Sequence, residues 1–338
     1  LLWAQTIGDT QPNHRFYESQ GIKTEGSFFA KATQKLTSKL TGFLDLQFRG
    51  IDYNVDGTVS GPQDFSVDDQ FAFFNPKAGL TFMLSQKQNL YFSYAKAQRE
   101  PNRTDYENGS PKPEKLNDFE LGWRMKKEKI QAQANLYWME YQDQLVLTGA
   151  IDEVGAPIRQ NVGKSRRVGI EIEATIQLAD QWLFKPNLAV SSNQNLDFYF
   201  KRDGILQSLG KTQLAYSPNI VGGNALVYAP STHFQVGLLS KYVGKQYMGN
   251  INSENSSLPS YFISDINAVF SWQPKKWVKE IQWSTTINNI FNLKYLSNGY
   301  FYTYDDDWTS PGQTTTIEGA GYYPQAGLHF LSGLKLIF

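Results

Sequence analysis

The 338 residues include no cysteine, so neither a disulfide framework nor a thiolate metal site is possible. Long apolar runs are also missing. A membrane-crossing helix needs about 20 consecutive apolar residues, and no such run occurs, so helical spanning is excluded. Neither sign of charge is in surplus: 32 basic and 32 acidic residues leave a formal net charge of zero, which nominates no nucleic-acid partner. Histidine is scarce, with only His14, His233 and His329. No metal-ligand spacing, phosphate loop or Ser–His arrangement stands out, so no catalytic residue, metal or cofactor is assigned. The opening Leu1-Leu2-Trp3-Ala4-Gln5 lacks the basic and apolar regions of a secretory signal.

Aromatic residues are plentiful instead. There are 22 Phe, 19 Tyr and 8 Trp, 14% of a chain whose mean hydropathy is a polar −0.45. Rich in aromatics, polar on average and without apolar runs is the composition of a transmembrane β-barrel, whose oily face takes only every second residue. Period-two alternation supports this. Leu44, Leu46 and Phe48 interleave with Asp45, Gln47 and Arg49, and Phe119, Leu121 and Trp123 with Asp118, Glu120 and Arg124. Ala132, Ala134 and Leu136 alternate with Gln133 and Asn135, and Ile170 and Ile172 with Glu171 and Glu173. Successive strand side chains point to opposite faces, so each segment has one oily and one wet face.

A soluble sandwich alternates too, but its connections are not sorted by length. Here the pattern predicts strands near 26–34, 39–51, 74–84, 88–97, 116–125, 129–142, 167–177, 181–192, 218–228, 233–245, 260–272, 281–295 and 326–338. Every second join is short and polar, such as Thr37-Ser38, Ser85-Gln86-Lys87, Lys126-Lys127-Glu128, Ala179-Asp180, Pro230-Ser231 and Pro274-Lys275-Lys276. The others, near 54–73, 98–115, 143–166, 193–217, 246–259 and 296–325, are long. Short turns at one rim and long loops at the other are the layout of bacterial outer-membrane barrels, with the long loops outside the cell. Leu1–Gln5 is expected to be the stub of a fourteenth strand, with the true N-terminus upstream of it. The last strand carries Leu328, Phe330, Leu334, Leu336 and Phe338 on one face and ends on an aromatic residue.

Four stretches resemble the TonB-dependent receptors, particularly those of the Bacteroidetes. Ile287-Asn288-Asn289-Ile290-Phe291-Asn292-Leu293-Lys294-Tyr295-Leu296-Ser297-Asn298-Gly299 is similar to the N-L-F-[ND]-x-x-Y-x-S-N-G element of the penultimate strand. Tyr94 to Arg103, followed by Pro111-Lys112-Pro113-Glu114-Lys115-Leu116, looks like a strand end and the opening of the next strand in that family. Gln160-Asn161-Val162-Gly163 through Gly169-Ile170-Glu171-Ile172-Glu173 and Ser240-Lys241-Tyr242-Val243-Gly244-Lys245-Gln246-Tyr247 are the other two. Together they cover most of the chain in the family's order.

The resemblance implies an all-β fold, in which residues 1–338 form about the last 14 strands of a 22-stranded barrel. The plug domain and TonB box would precede them. It also implies an outer-membrane active-transport receptor rather than an enzyme. Its expected partners are a small-molecule ligand (a metal chelate or a vitamin), the TonB-ExbB-ExbD complex through the plug region, the barrel assembly machinery, and lipid and lipopolysaccharide. A ferric siderophore is the expected cargo. Cobalamin is the alternative within the family, and a passive 14-stranded channel the alternative outside it.

The last long loop offers the candidate substrate site: Tyr300, Tyr302, Tyr304, Asp305, Asp307 and Trp308, with Tyr322 and Tyr323 beyond. Aromatic faces beside carboxylates suit a planar or cationic ligand, although Tyr and Trp also gather at the interfaces of any such barrel. Arg99 joins the set from the Arg99-Glu100-Pro101 strand end, which departs from the family's aromatic-Arg-x-Pro. Asp45, Arg49, Asp118, Glu120, Arg124, Glu171, Glu173 and Lys241 fall on the wet face. They are expected to pair with one another and with the plug.

Overall fold

The structure, a computed structural model, describes residues 18–59, 63–151, 157–274 and 277–338. The expected stub at Leu1–Gln5, His14 and part of the Pro274-Lys275-Lys276 turn lie outside these residues. The wall consists of β1 Ser19–Lys35, β2 Leu40–Val59, β3 Gln63–Ser85, β4 Gln88–Arg99, β5 Glu114–Lys126, β6 Ile130–Ile151, β7 Pro157–Ala179 and β8 Trp182–Arg202. It continues through β10 Ile220–Ser231, β11 Phe234–Val243, β14 Tyr261–Trp272, β15 Glu280–Asn288 and β18 His329–Ile337. Each pairs antiparallel with the next in chain order. A strand stands at each of the thirteen places where alternation predicted one.

Register explains the two faces. Leu80, Phe92, Leu121, Leu136, Ile170, Val190 and Ile220 pair in succession, one from each neighbouring strand, as a continuous apolar row. Most of that row is exposed: Leu121 keeps 48% of its surface open and Leu136 49%. In water such a belt would be a liability, whereas in a bilayer it faces the hydrocarbon. One residue along, Tyr91, Gly122, Asn135, Glu171 and Ala189 pair on the opposite, polar face. Tyr91 lies flat over Gly122, where a Cβ would come within 2.0 Å of its ring, and its hydroxyl donates to Asn135 at 3.0 Å.

The short turns close by local chemistry. The Thr37 hydroxyl accepts the Lys39 and Leu40 amides at 3.2 and 3.0 Å. The long joins differ from the loops expected of them, because most are β-ribbons continuing the wall strands. β2 and β3 run on to Val59 and from Gln63, and β6 and β7 to Ile151 and from Pro157. β8 extends to Arg202 and folds back as β9 Ile205–Gln213. β12 Gln246–Tyr247 and β13 Ser257–Leu258 flank a 3-10 turn at Glu254–Ser256. The join 296–325 is a hairpin of β16 Leu296–Asp306 and β17 Thr315–Pro324.

Residues 289–295, expected to continue the penultimate strand, leave it. Asn289 and Asn292 adopt φ of 52° and 51°, the left-handed region that asparagine tolerates better than most residues. Buried Asn289 then acts as a staple. Its amide nitrogen donates to the Leu293 and Ala326 carbonyls and its amide oxygen accepts from the Leu293 N–H.

Among the described residues, β1 and β18 each have a neighbour on one side only, so the sheet is open. Both strands are exposed along nearly their whole length. Unpaired backbone groups cannot stay unsatisfied in hydrocarbon, so both edges require partners in a membrane.

Candidate functional site

The β16–β17 hairpin is where the structure gathers the aromatic candidates. On β16, alternate residues split between two environments. Phe301 packs against a buried cluster of Val146, Val162, Phe198, Phe200, Leu214 and Ile251, contributed by β6, β7, β8 and the joins beyond. Thr303 is buried and pairs in parallel with Ala150 of β6. Tyr300, Tyr302 and Tyr304 therefore point the other way, as a ladder. Tyr300 and Tyr302 have centroids 6.2 Å apart, Tyr302 and Tyr304 6.4 Å, and Tyr304 stacks on Trp308 at 5.8 Å with planes 8° apart. Tyr323 adds a ring 6.0 Å from Tyr300.

Two glycines flatten this surface. Tyr300 and Tyr302 pair across the hairpin with Gly321 and Gly319. A Cβ on either glycine would come within 2.3 or 2.4 Å of the opposing ring. Without those glycines the rings would be lifted off the sheet.

The hairpin is anchored by partners far away in sequence. Glu318 accepts Arg202 at 2.6 Å and Asn255 at 3.1 Å, and takes a short hydrogen bond from the Ser253 hydroxyl. Partial burial pushes the Glu318 carboxyl up, but these three donors together outweigh it and hold it below its ordinary value. Asp203 and Thr316 exchange two bonds of 2.7 Å, backbone N–H to side chain in each direction. The Tyr216 hydroxyl donates to the Gly299 carbonyl at 2.9 Å. At the tip, the amides of Trp308 and Thr309 donate to Asp306, keeping that carboxyl low as well.

The acidic candidates are not gathered beside the rings. Asp305 faces the anchored side, accepting the Thr316 hydroxyl at 2.9 Å with Lys201 at 3.7 Å. Asp307 is exposed near the tip. Arg99 belongs to a different locality, paired at 2.5 Å with Glu114, whose carboxylate also accepts the Leu145 amide. Strand alternation sets Asp305 opposite the tyrosines, a separation that the contiguous Asp305-Asp306-Asp307 run concealed.

A second braced region stands above β2–β3. Helix α1, Arg103–Glu107, opens with a capping box between Asn102 and Asp105. Buried Asp105 pairs with Arg159 of β7 at 3.0 Å. The Tyr106 hydroxyl donates to Asp69 at 2.6 Å, and burial followed by that bond raises its phenol well above the ordinary range.

The wet-face charges pair less than expected. Arg49 meets Glu25 at 2.9 Å and Glu100 at 3.5 Å. Arg124 instead lies over the Tyr91 ring at 4.2 Å, and Glu173 accepts Gln133 at 2.5 Å. Among the described residues, Asp45, Asp118, Glu120, Glu171 and Lys241 form no ion pair.

A family model described as TonB dependent receptor-like, beta-barrel, matches residues 4–293. The catecholate siderophore receptor Fiu of Escherichia coli K12 is 21% identical over 287 residues, which cover 76% of this chain and 32% of that protein. Among solved structures, the siderophore receptor PiuA from Acinetobacter baumannii superposes with a TM-score of 0.67 at 17% identity, covering 93% of this chain and 44% of that one. The ferric citrate transporter FecA, unliganded, gives 0.66 at 15% identity, covering 94% and 46%. The chain thus spans about a third of the curated relative and under half of these structures. At such identities the structural likeness shows the fold alone.

Proposed function

The chain belongs to the TonB-dependent receptor β-barrel family, and from that premise we propose that it forms the ligand-reading part of an importer for a ferric siderophore. It is an outer-membrane β-barrel of the Gram-negative type, and its family is one of transport receptors rather than enzymes. In the proposed whole receptor, cargo docks at the long-loop rim. TonB, with ExbB and ExbD, acts through a plug region to open the path. Specificity comes from aromatic and polar contacts, without covalent chemistry.

The observation that carries the siderophore reading is the ladder of Tyr300, Tyr302, Tyr304 and Trp308. Its rings present flat faces from a hairpin held by Arg202, Asp203, Ser253 and Asn255. Aromatic faces of this kind stack on the rings of a catecholate chelate. Relatives described as receptors for catecholate siderophores and transporters of ferric citrate agree with an iron-chelate cargo. Asp307 lies at the edge of this surface, and Asp305 serves to hold the hairpin rather than to touch cargo. Arg99 is assigned to the strand-end architecture.

The test is fluorescence titration of the purified full-length receptor. A ferric catecholate should quench tryptophan emission saturably, and Tyr302→Ala together with Trp308→Ala should weaken binding. Saturable binding of cobalamin with no response to any ferric chelate would overturn the reading.

A further inference from the structure

The outer wall carries a feature that ligand import does not use. On the lipid-facing side of β4 to β7, Tyr94, Phe119, Trp138 and Val168 pair in succession as an aromatic-rich row. Phe92, Leu121, Leu136 and Ile170 form the apolar row one pleat toward the short-turn rim. One pleat the other way, toward the long-loop rim, the succession becomes Lys96, Asn117, Glu140 and Arg166. The next reads Gln98, Lys115, Gln142 and Lys164. Four cations and one carboxylate thus stand on the outer surface just beyond the aromatic row.

These cations are uncommitted. Among the described residues, Lys96, Lys115, Lys164 and Arg166 form no ion pair, although Glu140 sits directly across from Arg166. Part of the patch is preorganised. The Arg166 guanidinium lies 5.5 Å over the Trp138 ring, and the Trp138 indole N–H donates to Glu140 at 3.1 Å. Below them, the Tyr94 hydroxyl donates to Asn117 at 2.8 Å and its ring tilts against Phe119 at 4.9 Å. Four adjacent strands at about 4.8 Å spacing make the patch roughly 15 Å wide.

The geometry points to a binding site for a phosphorylated, acylated lipid of the outer leaflet, of the lipopolysaccharide type. Its phosphates lie on Lys96, Lys115, Lys164 and Arg166 and its acyl chains along Phe92, Leu121, Leu136 and Ile170. Depth selects this ligand. A soluble anion would be met by the cations alone. Here the cations adjoin an aromatic row and then a hydrocarbon-facing row in the order that a lipid presents phosphate, interface and chain. The wet face of the same strands mixes both signs, with Arg99, Arg124 and Arg167 beside Asp118, Glu120, Glu171 and Glu173, whereas the outer patch sets four cations against Glu140 alone.

Native mass spectrometry of delipidated full-length receptor in detergent tests this, with bis-phosphorylated hexa-acyl lipid A as probe. The wild type should bind the probe, and its dephosphorylated form markedly less. Millimolar inorganic phosphate should not displace it. Lys164→Gln and Arg166→Gln should each weaken binding about fivefold, and the two together multiplicatively. Lumen-facing Lys77→Gln should leave binding unchanged. Retained heat-modifiability on gels verifies that each variant is folded, and the single variants suffice if the double one fails to assemble. Equal binding by folded variants, or by the dephosphorylated lipid, overturns the proposal. Displacement by inorganic phosphate would reassign the patch to a free anion and overturn the lipid site.

Discussion

The wall and the ribbons above it solve opposite problems with the same kind of strand. In the wall, large apolar side chains such as Leu121, Leu136 and Phe92 remain 47–49% exposed. Among the described residues, two clusters of buried apolar side chains lie elsewhere. One joins Val55, Phe65 and Val67, and the other Val146, Val162, Phe198, Phe200, Leu214 and Ile251, all in or near the ribbon extensions. In hydrocarbon, burying a leucine gains little, because lipid is as apolar as the side chain, and the backbone ladder holds the sheet together. In water the ribbons must generate their own interior. The proposed binding surface accordingly rests on a conventional core built at the top of a wall that has none.

This contrast can be broken at either end. Phe198 is 2% exposed in the ribbon cluster, and Phe198→Ala should cost about 3–5 kcal/mol locally. Hydrogen exchange should accelerate in residues 195–214 and 299–305 while wall strands such as β5 stay protected. Uniform loss of protection would mean that wall and ribbons unfold as one unit. Next in size, Leu136→Arg places a charge on the lipid face, which near the bilayer midplane costs about 2–4 kcal/mol. Its neighbour on the wet face, Gln133→Arg, sits beside Glu173 and should cost far less. Urea unfolding in lipid vesicles compares the two, and equal costs would contradict the assignment of faces.

The smallest effect sharpens the comparison by pH. Folding holds the Glu318 carboxyl below its ordinary value of 4.5, so its anchoring of β17 is complete above that pH. It is lost as pH falls through the lower, folded value. Glu318→Gln, which leaves Arg202 without its carboxylate, should cost about 1–3 kcal/mol at neutral pH and remove the acid-dependent step. Trp308 emission reports the hairpin. An unchanged acid transition in Glu318→Gln would show that another group governs it.

The wall was legible in advance because its code is local. Alternation at Leu44–Arg49 or Ile170–Thr175 states that a strand exists and which residues share a face, and short polar joins such as Thr37-Ser38 mark one rim. The long joins were misread for the same reason. In residues 296–306 aromatic side chains fall on both faces, and in 193–202 burial switches face at the register shift between Asn195 and Phe198, so neither stretch reads as one oily and one wet face. Asn289 falls within a strand motif of the sequence, yet its role as a staple depends on the Ala326 carbonyl, which is distant in sequence. Within the candidate site, the run Tyr300 to Trp308 announced the aromatic ladder, and Gly319 and Gly321 gave no sign that they would lie beneath it. Asp305 lies on the other face from the rings because β16 alternates through that point.

From sequence alone, composition and period two determined that this chain is a two-faced antiparallel sheet for a membrane, with one rim of turns and one of long joins. These follow from each residue's preference for lipid or water, which its neighbours at i±2 already express. Only the tertiary structure decided which ribbons meet above the membrane. Arg202 with Glu318, Asp203 with Thr316 and Phe301 against Phe198 are pairings across about a hundred residues. No local pattern specifies such contacts, because they depend on how the whole sheet curves and which ribbon tips it brings together.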